Sequence, residues 1–183
     1  MHHPFEKISS SQRKRLFWGL LVVTLVVMIL LNIVGGPLIT PAAPYGIVSF
    51  ELAGNVTEAS EILDSWDSNA RLHAAFSLGF DYVWMLFYST TIGLGCIWAA
   101  EVLRQRRWPL AKLGVPLAWG QWLAAIFDAI ENIALALILF GSLAIPWPQV
   151  ARWCAIFKFA LIFFGMVYAF LGLVAYFTVR AKQ

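Results

Sequence analysis

Charged residues are scarce in this chain, and their scarcity excludes a water-soluble globule. Only 13% of the 183 residues are Asp, Glu, Lys or Arg, whereas 61% are hydrophobic. Soluble domains carry about 25% charged residues. The chain has too little polar surface to face water on all sides. We therefore expect an integral membrane protein that forms a single membrane domain over residues 1–183.

Residue types that carry chemistry are also few. The chain has two cysteines and three histidines, and none of them form a group with the spacing of a metal site. The sequence has no phosphate-binding loop, dinucleotide fingerprint, nucleophile elbow or metalloprotease motif. Its basic residues form no face on a soluble element, which argues against a nucleic-acid partner. The sequence predicts no metal and no cofactor, and it leaves open whether the protein is an enzyme.

Four long apolar runs dominate the chain, and each can supply the roughly 20 residues that cross a bilayer. Between the first two runs, Asn55-x-x-Glu58 has the pattern of a capping box at the start of a short amphipathic helix. The predicted fold class is an all-α membrane protein: a four-transmembrane-helix bundle with this amphipathic helix between helices 1 and 2, on the outer face. The predicted segments are a cytoplasmic basic tail at 1–15, transmembrane helices at 16–34, 73–100, 113–140 and 149–179, an outer segment at 35–72, a cytoplasmic basic loop at 101–112, an outer turn at 141–148 and a cytoplasmic tail at 180–183.

The distribution of Lys and Arg predicts the orientation. Segments 1–15, 101–112 and 180–183 together hold ten of the thirteen basic residues. Cytoplasmic loops are enriched in Lys and Arg. We therefore expect both termini in the cytoplasm and the protein in a bacterial inner membrane.

Five polar side chains interrupt the apolar runs at one depth. Asp128, Glu131 and Asn132 are spaced i, i+3, i+4, so they share one helix face. Lipid offers no hydrogen-bond partners, so this face is predicted to point into the bundle. Asp81 in the second helix and Lys158 in the fourth fall in the same outer half of the bilayer, and we expect all five to meet. The candidate catalytic residues are Asp128, Glu131, Asp81 and Lys158. The ligand-binding candidates are Asp81, Tyr82, Tyr88, Asp128, Glu131, Asn132, Lys158 and His73.

Three acids surround one lysine in this predicted cluster, so the carboxyl groups are not all expected to be ionised. A proton shared between Asp128 and Glu131 is the natural expectation. Glu51, ahead of the amphipathic helix, either dips toward the cluster or faces water, and we favour water. His2 and His3 lie next to the terminus and are expected to be disordered rather than to bind a ligand.

The cluster is compatible with three functions. The favoured one is a buried polar pocket that binds an amphipathic small molecule or lipid, with acid–base chemistry on that molecule as an extension. The first alternative is an accessory or assembly subunit whose charges pair only for helix packing. The second is a proton-coupled transporter that works as an oligomer. The expected partners are therefore a membrane lipid or amphipathic small molecule, and a second copy or larger membrane complex.

A resemblance supports the fold expectation. The set Phe50-Glu51-Leu52-Ala53, Asp81 with Tyr88, Asp128-x-x-Glu131-Asn132 and Lys158 resembles a family of small bacterial four-helix integral membrane proteins of uncharacterised activity. The likeness covers residues 47–175. It implies the four-helix fold and implies no reaction.

Overall fold

Helices account for all the regular secondary structure that the structure describes. The computed structural model describes residues 2–180, so the end of the predicted cytoplasmic tail at 180–183 lies outside the described residues. The α-helices are α1 Ser10–Val34, α2 Ile47–Glu51, α3 Val56–Ser65, α4 Ser68–Gln105, α5 Gly114–Leu139 and α6 Pro146–Arg180, and short 3-10 helices cover Pro4–Lys7, Gly36–Leu38 and Pro109–Leu113.

Four helices, α1, α4, α5 and α6, are long and apolar enough to cross a membrane. In α1, only 11% of the most apolar stretch of 18 residues is buried inside the protein. The side chains of Val22 and Ile33 are 60% and 69% exposed. A soluble protein rarely exposes so much contiguous apolar surface. The all-helical class with four long apolar helices is therefore confirmed.

Three of the long helices, α1, α4 and α6, extend beyond the predicted apolar segments, whereas α5 lies within 113–140. Helix α1 begins at Ser10 rather than at residue 16, and Ser9 Oγ accepts a hydrogen bond from the Gln12 amide at 3.4 Å. Helix α4 begins at Ser68 rather than at residue 73, because Asp67 Oδ1 accepts a hydrogen bond from the Ala70 amide at 2.7 Å. A polar side chain at the cap satisfies an amide of the first turn. Capping therefore extends a helix past the apolar run that first indicates it.

The short helix α3 lies where the capping pattern predicts a helix. Asn55 Oδ1 accepts a hydrogen bond from the Glu58 amide at 2.9 Å, and Glu58 Oε2 accepts one from the Gly54 amide at 3.0 Å. The bond to the Glu58 side chain thus comes from the amide of Gly54, one residue before the cap residue Asn55. Helix α3 buries Ala59, Ile62 and Leu63, so it presents one apolar face to the protein.

The chain packs as two compact units. The first unit contains the described residues up to Thr24, Leu86–Ala125 and the described residues from Phe159 onward; the second contains Leu25–Met85 and Ile126–Lys158. Each of the four long helices contributes residues to both units. The buried core of the first unit includes Cys96, Ile97, Leu103, Ala118 and Tyr168, and that of the second includes Leu38, Phe50, Trp66, Leu135 and Ile138.

His3 is ordered and buried, so the expectation of a disordered His3 is wrong. Its side chain is only 1% exposed. In the first unit, its ring centroid lies 4.5 Å from that of Phe5 and 4.8 Å from those of Trp119 and Trp122. Burial lowers the pKa of the His3 imidazole, although the nearby Glu6 carboxylate opposes this shift. These aromatic contacts immobilise a terminal segment whose sequence predicts disorder.

Candidate functional site

Lys158 of α6 is the centre of a buried network of charges in the second unit. Its Nζ donates hydrogen bonds to Asp128 Oδ1 at 2.7 Å and to Glu131 Oε1 at 2.9 Å. Lys158, Asp128 and Glu131 are 5%, 2% and 0% exposed. A buried charge is tolerated only when it is paired and hydrogen-bonded. The structure therefore brings together the three residues that the sequence placed at the centre of the cluster.

Helix α5 divides its polar residues between two neighbours. Asp128 and Glu131 contact Lys158 of α6, whereas Asn132 Nδ2 donates to Asp81 Oδ2 of α4 at 2.7 Å. The i, i+3, i+4 spacing permits this division, because such residues share a face but diverge around it. One polar face of α5 thus links α4 and α6 within the second unit.

Glu51 also belongs to the network, so the preference for a water-facing Glu51 is wrong. The residue is only 8% exposed, and its Oε2 lies 3.6 Å from Lys158 Nζ. The neighbouring Phe50 is 1% exposed and Ala53 is 3% exposed, so both anchor this segment in the core. The turn before α2 depends on Gly46, whose φ of 58° is rare for residues with a side chain. Burial of Phe50 and Ala53 therefore carries Glu51 inward.

Glu51 and Glu131 are two acids beside the same ammonium group. Glu131 Oε1 lies 2.9 Å and Glu51 Oε2 lies 3.6 Å from Lys158 Nζ. No N–H or O–H donor within residues 2–180 is hydrogen-bonded to the Oε2 atom of either residue. The proton that the sequence predicts between Asp128 and Glu131 stays a prediction, and Glu51 is a further acid at the same place.

Glu51 lies outside the long apolar helices, and its environment favours the neutral acid. Burial raises the pKa of the Glu51 carboxyl group. The Lys158 ammonium opposes this effect, and the Asp128 carboxylate adds to it. A buried acid with a raised pKa is suited to accepting and releasing protons.

Two cavities adjoin the polar residues of the second unit, and they differ in character. The smaller, about 70 Å³, contains Glu51, Asp81 and the buried Ser77, whose Oγ has no hydrogen-bond partner among the described residues. The larger, about 340 Å³, is an apolar groove. The smaller cavity is lined by Leu31, Gly35, Ile47, Glu51, Ser77, Leu78, Asp81 and Asn132. The groove is lined by Ala75, Leu78, Gly79, Tyr82, Asn132, Ile133, Ala136, Leu137, Leu139 and Phe140.

The remaining ligand-binding candidates lie at separate places. Tyr82 lines the groove, and its hydroxyl donates to the Ala129 carbonyl at 3.3 Å. His73 Nδ1 lies 2.8 Å from the carbonyl oxygen of Val34 at the end of α1. Tyr88 is buried in the first unit. Only Tyr82 of these three contributes to the walls of the groove.

The donor set of the cluster is acidic. Among the described residues, Glu51, Asp128 and Glu131 form ion pairs with Lys158, and Asp81 is hydrogen-bonded to Asn132. The described residues contain no group of His, Cys, Asp and Glu with the geometry to hold a metal ion. The arrangement is therefore suited to holding protons and hydrogen-bond donors.

Comparison of the chain with protein-family models, curated proteins and solved structures found no match. The resemblance to small bacterial four-helix membrane proteins stays a prediction.

Proposed function

We propose that the chain is a multi-pass membrane protein that binds an amphipathic small molecule or lipid in the second unit. The four long apolar helices and the apolar exposed side chains of α1 support insertion in a bilayer. The concentration of Lys and Arg in three segments supports cytoplasmic termini in a bacterial inner membrane. In this orientation α3 lies on the outer face.

One observation carries the binding proposal: the acid-lined cavity and the apolar groove share two wall residues, Leu78 and Asn132. A ligand with a small polar end fits the 70 Å³ cavity beside Glu51 and Asp81, and its apolar part lies in the 340 Å³ groove. Ligand sites are mostly apolar, with a few polar groups that orient the ligand. The two cavities together have this composition.

Acid–base chemistry at this site belongs to Glu51 and Asp81, because these two carboxyl groups line the cavity. The other catalytic candidates, Asp128, Glu131 and Lys158, are held in the buried network. Their role in this proposal is to set the charge around Glu51.

The second candidate function is that of an accessory or assembly subunit, and the burial of the network favours it. Lys158, Asp128 and Glu131 are at most 5% exposed, and Lys158 is hydrogen-bonded to both acids. Interhelical hydrogen bonds of this kind contribute about 0.6 kcal/mol each in membrane proteins. In this alternative the charges pair to hold α5 and α6 together, and the cavities bind nothing.

Native mass spectrometry of the gently extracted protein tests the binding proposal. Gly79 lines the groove, and a Cβ built on it meets no atom within 4 Å. Gly79→Leu should therefore fold and fill the groove. Gly19 has the same open surroundings and lies in the first unit, so Gly19→Leu is the matched control. The wild type and Gly19→Leu should retain a bound amphipathic molecule, and Gly79→Leu should lose most of it.

Two results would contradict the proposal. In the first, Gly79→Leu keeps the same bound mass as the control, which would show that the molecule lies elsewhere. Alternatively, the wild type carries no bound molecule and acquires none from added membrane lipid extract. The second result would leave the accessory role as the better description.

A further inference from the structure

We propose that the basic segment after α4, in the first unit, binds the phosphate group of an anionic membrane lipid. A cavity of about 300 Å³ lies at this segment. This site is independent of the cavities in the second unit. It is lined by Arg104, Arg107, Trp108, Pro109, Ala111 and Lys112.

The backbone at Arg107 indicates that its side chain is needed for something other than the turn. The Trp108 amide donates to the Leu103 carbonyl at 3.0 Å, which closes the end of α4. Arg107 has a φ of 56° and, among residues 2–180, is the one non-glycine residue with a positive φ. Helices that end in this way usually have glycine at the left-handed position. An arginine here is strained where glycine would not be, and strain of this kind concentrates at functional sites.

The charges around the cavity favour an anion. Arg104, Arg107 and Lys112 contribute three positive charges to its walls. Among the described residues, the nearby acids Glu6 and Glu101 line a separate cavity with Arg13 and Arg104, and Arg13 Nη1 lies 3.5 Å from Glu101 Oε2. These acids therefore face Arg104 and Arg13. Arginine guanidinium groups bind phosphate through paired hydrogen bonds.

Exposed apolar side chains beside these cations favour a lipid over free phosphate. Trp108, Leu110 and Leu113 are 45%, 40% and 47% exposed. Tryptophan is enriched where membrane meets water. Basic residues next to the cytoplasmic end of a transmembrane helix attract anionic lipid headgroups. Free phosphate would make no contact with the apolar side chains, whereas a lipid contacts both groups.

The test uses the full-length protein in neutral detergent, titrated with phosphatidylglycerol, phosphatidylcholine or inorganic phosphate. Lipid binding is followed by native mass spectrometry, and the thermal unfolding midpoint is measured without lipid. Arg107→Gly should weaken phosphatidylglycerol binding about fivefold, which is the expected effect of one basic residue. Its midpoint without lipid should equal or exceed that of the wild type, because glycine adopts this φ without strain. The exposed Arg15 lies outside the cavity, so Arg15→Asn should bind as the wild type does.

Any of three results would overturn the proposal. Equal binding of phosphatidylglycerol and phosphatidylcholine would show that the phosphate charge is not recognised. Inorganic phosphate that competes at the same concentration as the lipid would identify free phosphate as the ligand. Unchanged binding in Arg107→Gly would exclude the cavity. Arg107→Asn repeats the measurement with a second residue that tolerates a positive φ, in case the glycine variant does not fold.

Discussion

The two units pack their helices by different means. In the first unit, α6 meets α4 and α5 through small, neutral contacts: Gly172 lies against Ala99, and Gln121 Nε2 donates to the Leu161 carbonyl at 2.9 Å. In the second unit, α5 and α6 meet through the ion pairs of Lys158 with Asp128 and Glu131. Small residues that allow close backbone approach are the common solution for membrane helices. The second unit instead uses buried ion pairs, which are a more costly solution.

This difference bears on the purpose of the charges. Among the described residues of the first unit, α6 packs against α4 and α5 without an ion pair, and the Arg13–Glu101 pair joins only α1 to α4. Each buried ion has to be compensated for lost hydration, which costs several kcal/mol. Among the described residues of the second unit, three carboxyl groups lie within 4.0 Å of Lys158 Nζ, and a fourth, that of Asp81, accepts a hydrogen bond from Asn132. An excess of acid over base is more than packing requires, and it supports a further use such as the proposed binding site.

The largest expected effect comes from removing the centre of the buried network. Lys158→Met leaves Asp128 and Glu131 without the ammonium group to which both are hydrogen-bonded. Breaking a buried ion pair on one side costs about 3–5 kcal/mol. We expect a loss of unfolding free energy in this range, measured by denaturant titration in detergent.

A double variant shows whether the loss comes from stranded charge. In Lys158→Met/Glu131→Gln, one of the uncompensated carboxylates is also removed, so part of the lost stability should return. If the double variant is as unstable as the two single variants combined, the ammonium and the carboxylate do not stabilise each other. The contrast between the two units would then disappear.

An intermediate effect is expected in the first unit, where packing depends on space. A Cβ at Gly172 would overlap the Cα and Cβ atoms of Ala99. Gly172→Ala should therefore destabilise the protein by about 1–3 kcal/mol, as overpacking does. At Gly120 the new Cβ would lie 3.5 Å from Leu161 Cδ2, which is an ordinary contact. Gly120→Ala should raise the stability by up to about 1 kcal/mol through helix propensity.

Thermal unfolding in detergent compares the two alanine variants directly. Equal midpoints for Gly172→Ala and Gly120→Ala would show that α4 and α6 do not depend on close approach at Ala99. The first unit would then need another explanation for its packing.

The sequence predicts the long helices and most of the cluster because both have strong signals. A run of about 20 apolar residues identifies a candidate transmembrane helix, and an ionisable residue within such a run stands out by its cost. Asp81, Asp128, Glu131, Asn132 and Lys158 were all found in this way. Sequence spacing also identified which face of α5 they share.

The inward position of Glu51 could not be predicted, because its segment is not a long apolar run and the acid does not lie within one. Helix α2 has only 5 residues, too few for a helical periodicity. Its inward direction depends on the turn at Gly46 and on tertiary contacts of Phe50. The one available sign was a single acid within the apolar stretch 47–53. The walls of the cavities could not be predicted for a related reason, because they combine residues from α1, α2, α4 and α5.

The smallest expected effect is a pH dependence that belongs to Glu51. Burial raises the pKa of this carboxyl group above its usual value of 4.5. Between pH 4.5 and the raised pKa of the folded protein, Glu51 is ionised in the unfolded chain but keeps its proton in the folded protein. The folded state therefore binds more protons in this pH range. Stability that depends on this proton is therefore complete below pH 4.5 and is lost as the pH rises through the folded pKa.

Glu51→Gln removes that titration and keeps the shape of the side chain. The stability of the wild type relative to Glu51→Gln should therefore decrease as the pH rises from 4 to 8, measured by denaturant titration in detergent. Glu61 is an exposed acid on α3, so Glu61→Gln should keep the pH slope of the wild type. Parallel pH profiles for the wild type and Glu51→Gln would show that Glu51 does not keep a proton in the folded protein. A steeper profile in the wild type would instead show that Glu51 stores a proton next to the cavity of the second unit, whereas α6 meets α4 and α5 in the first unit through neutral contacts.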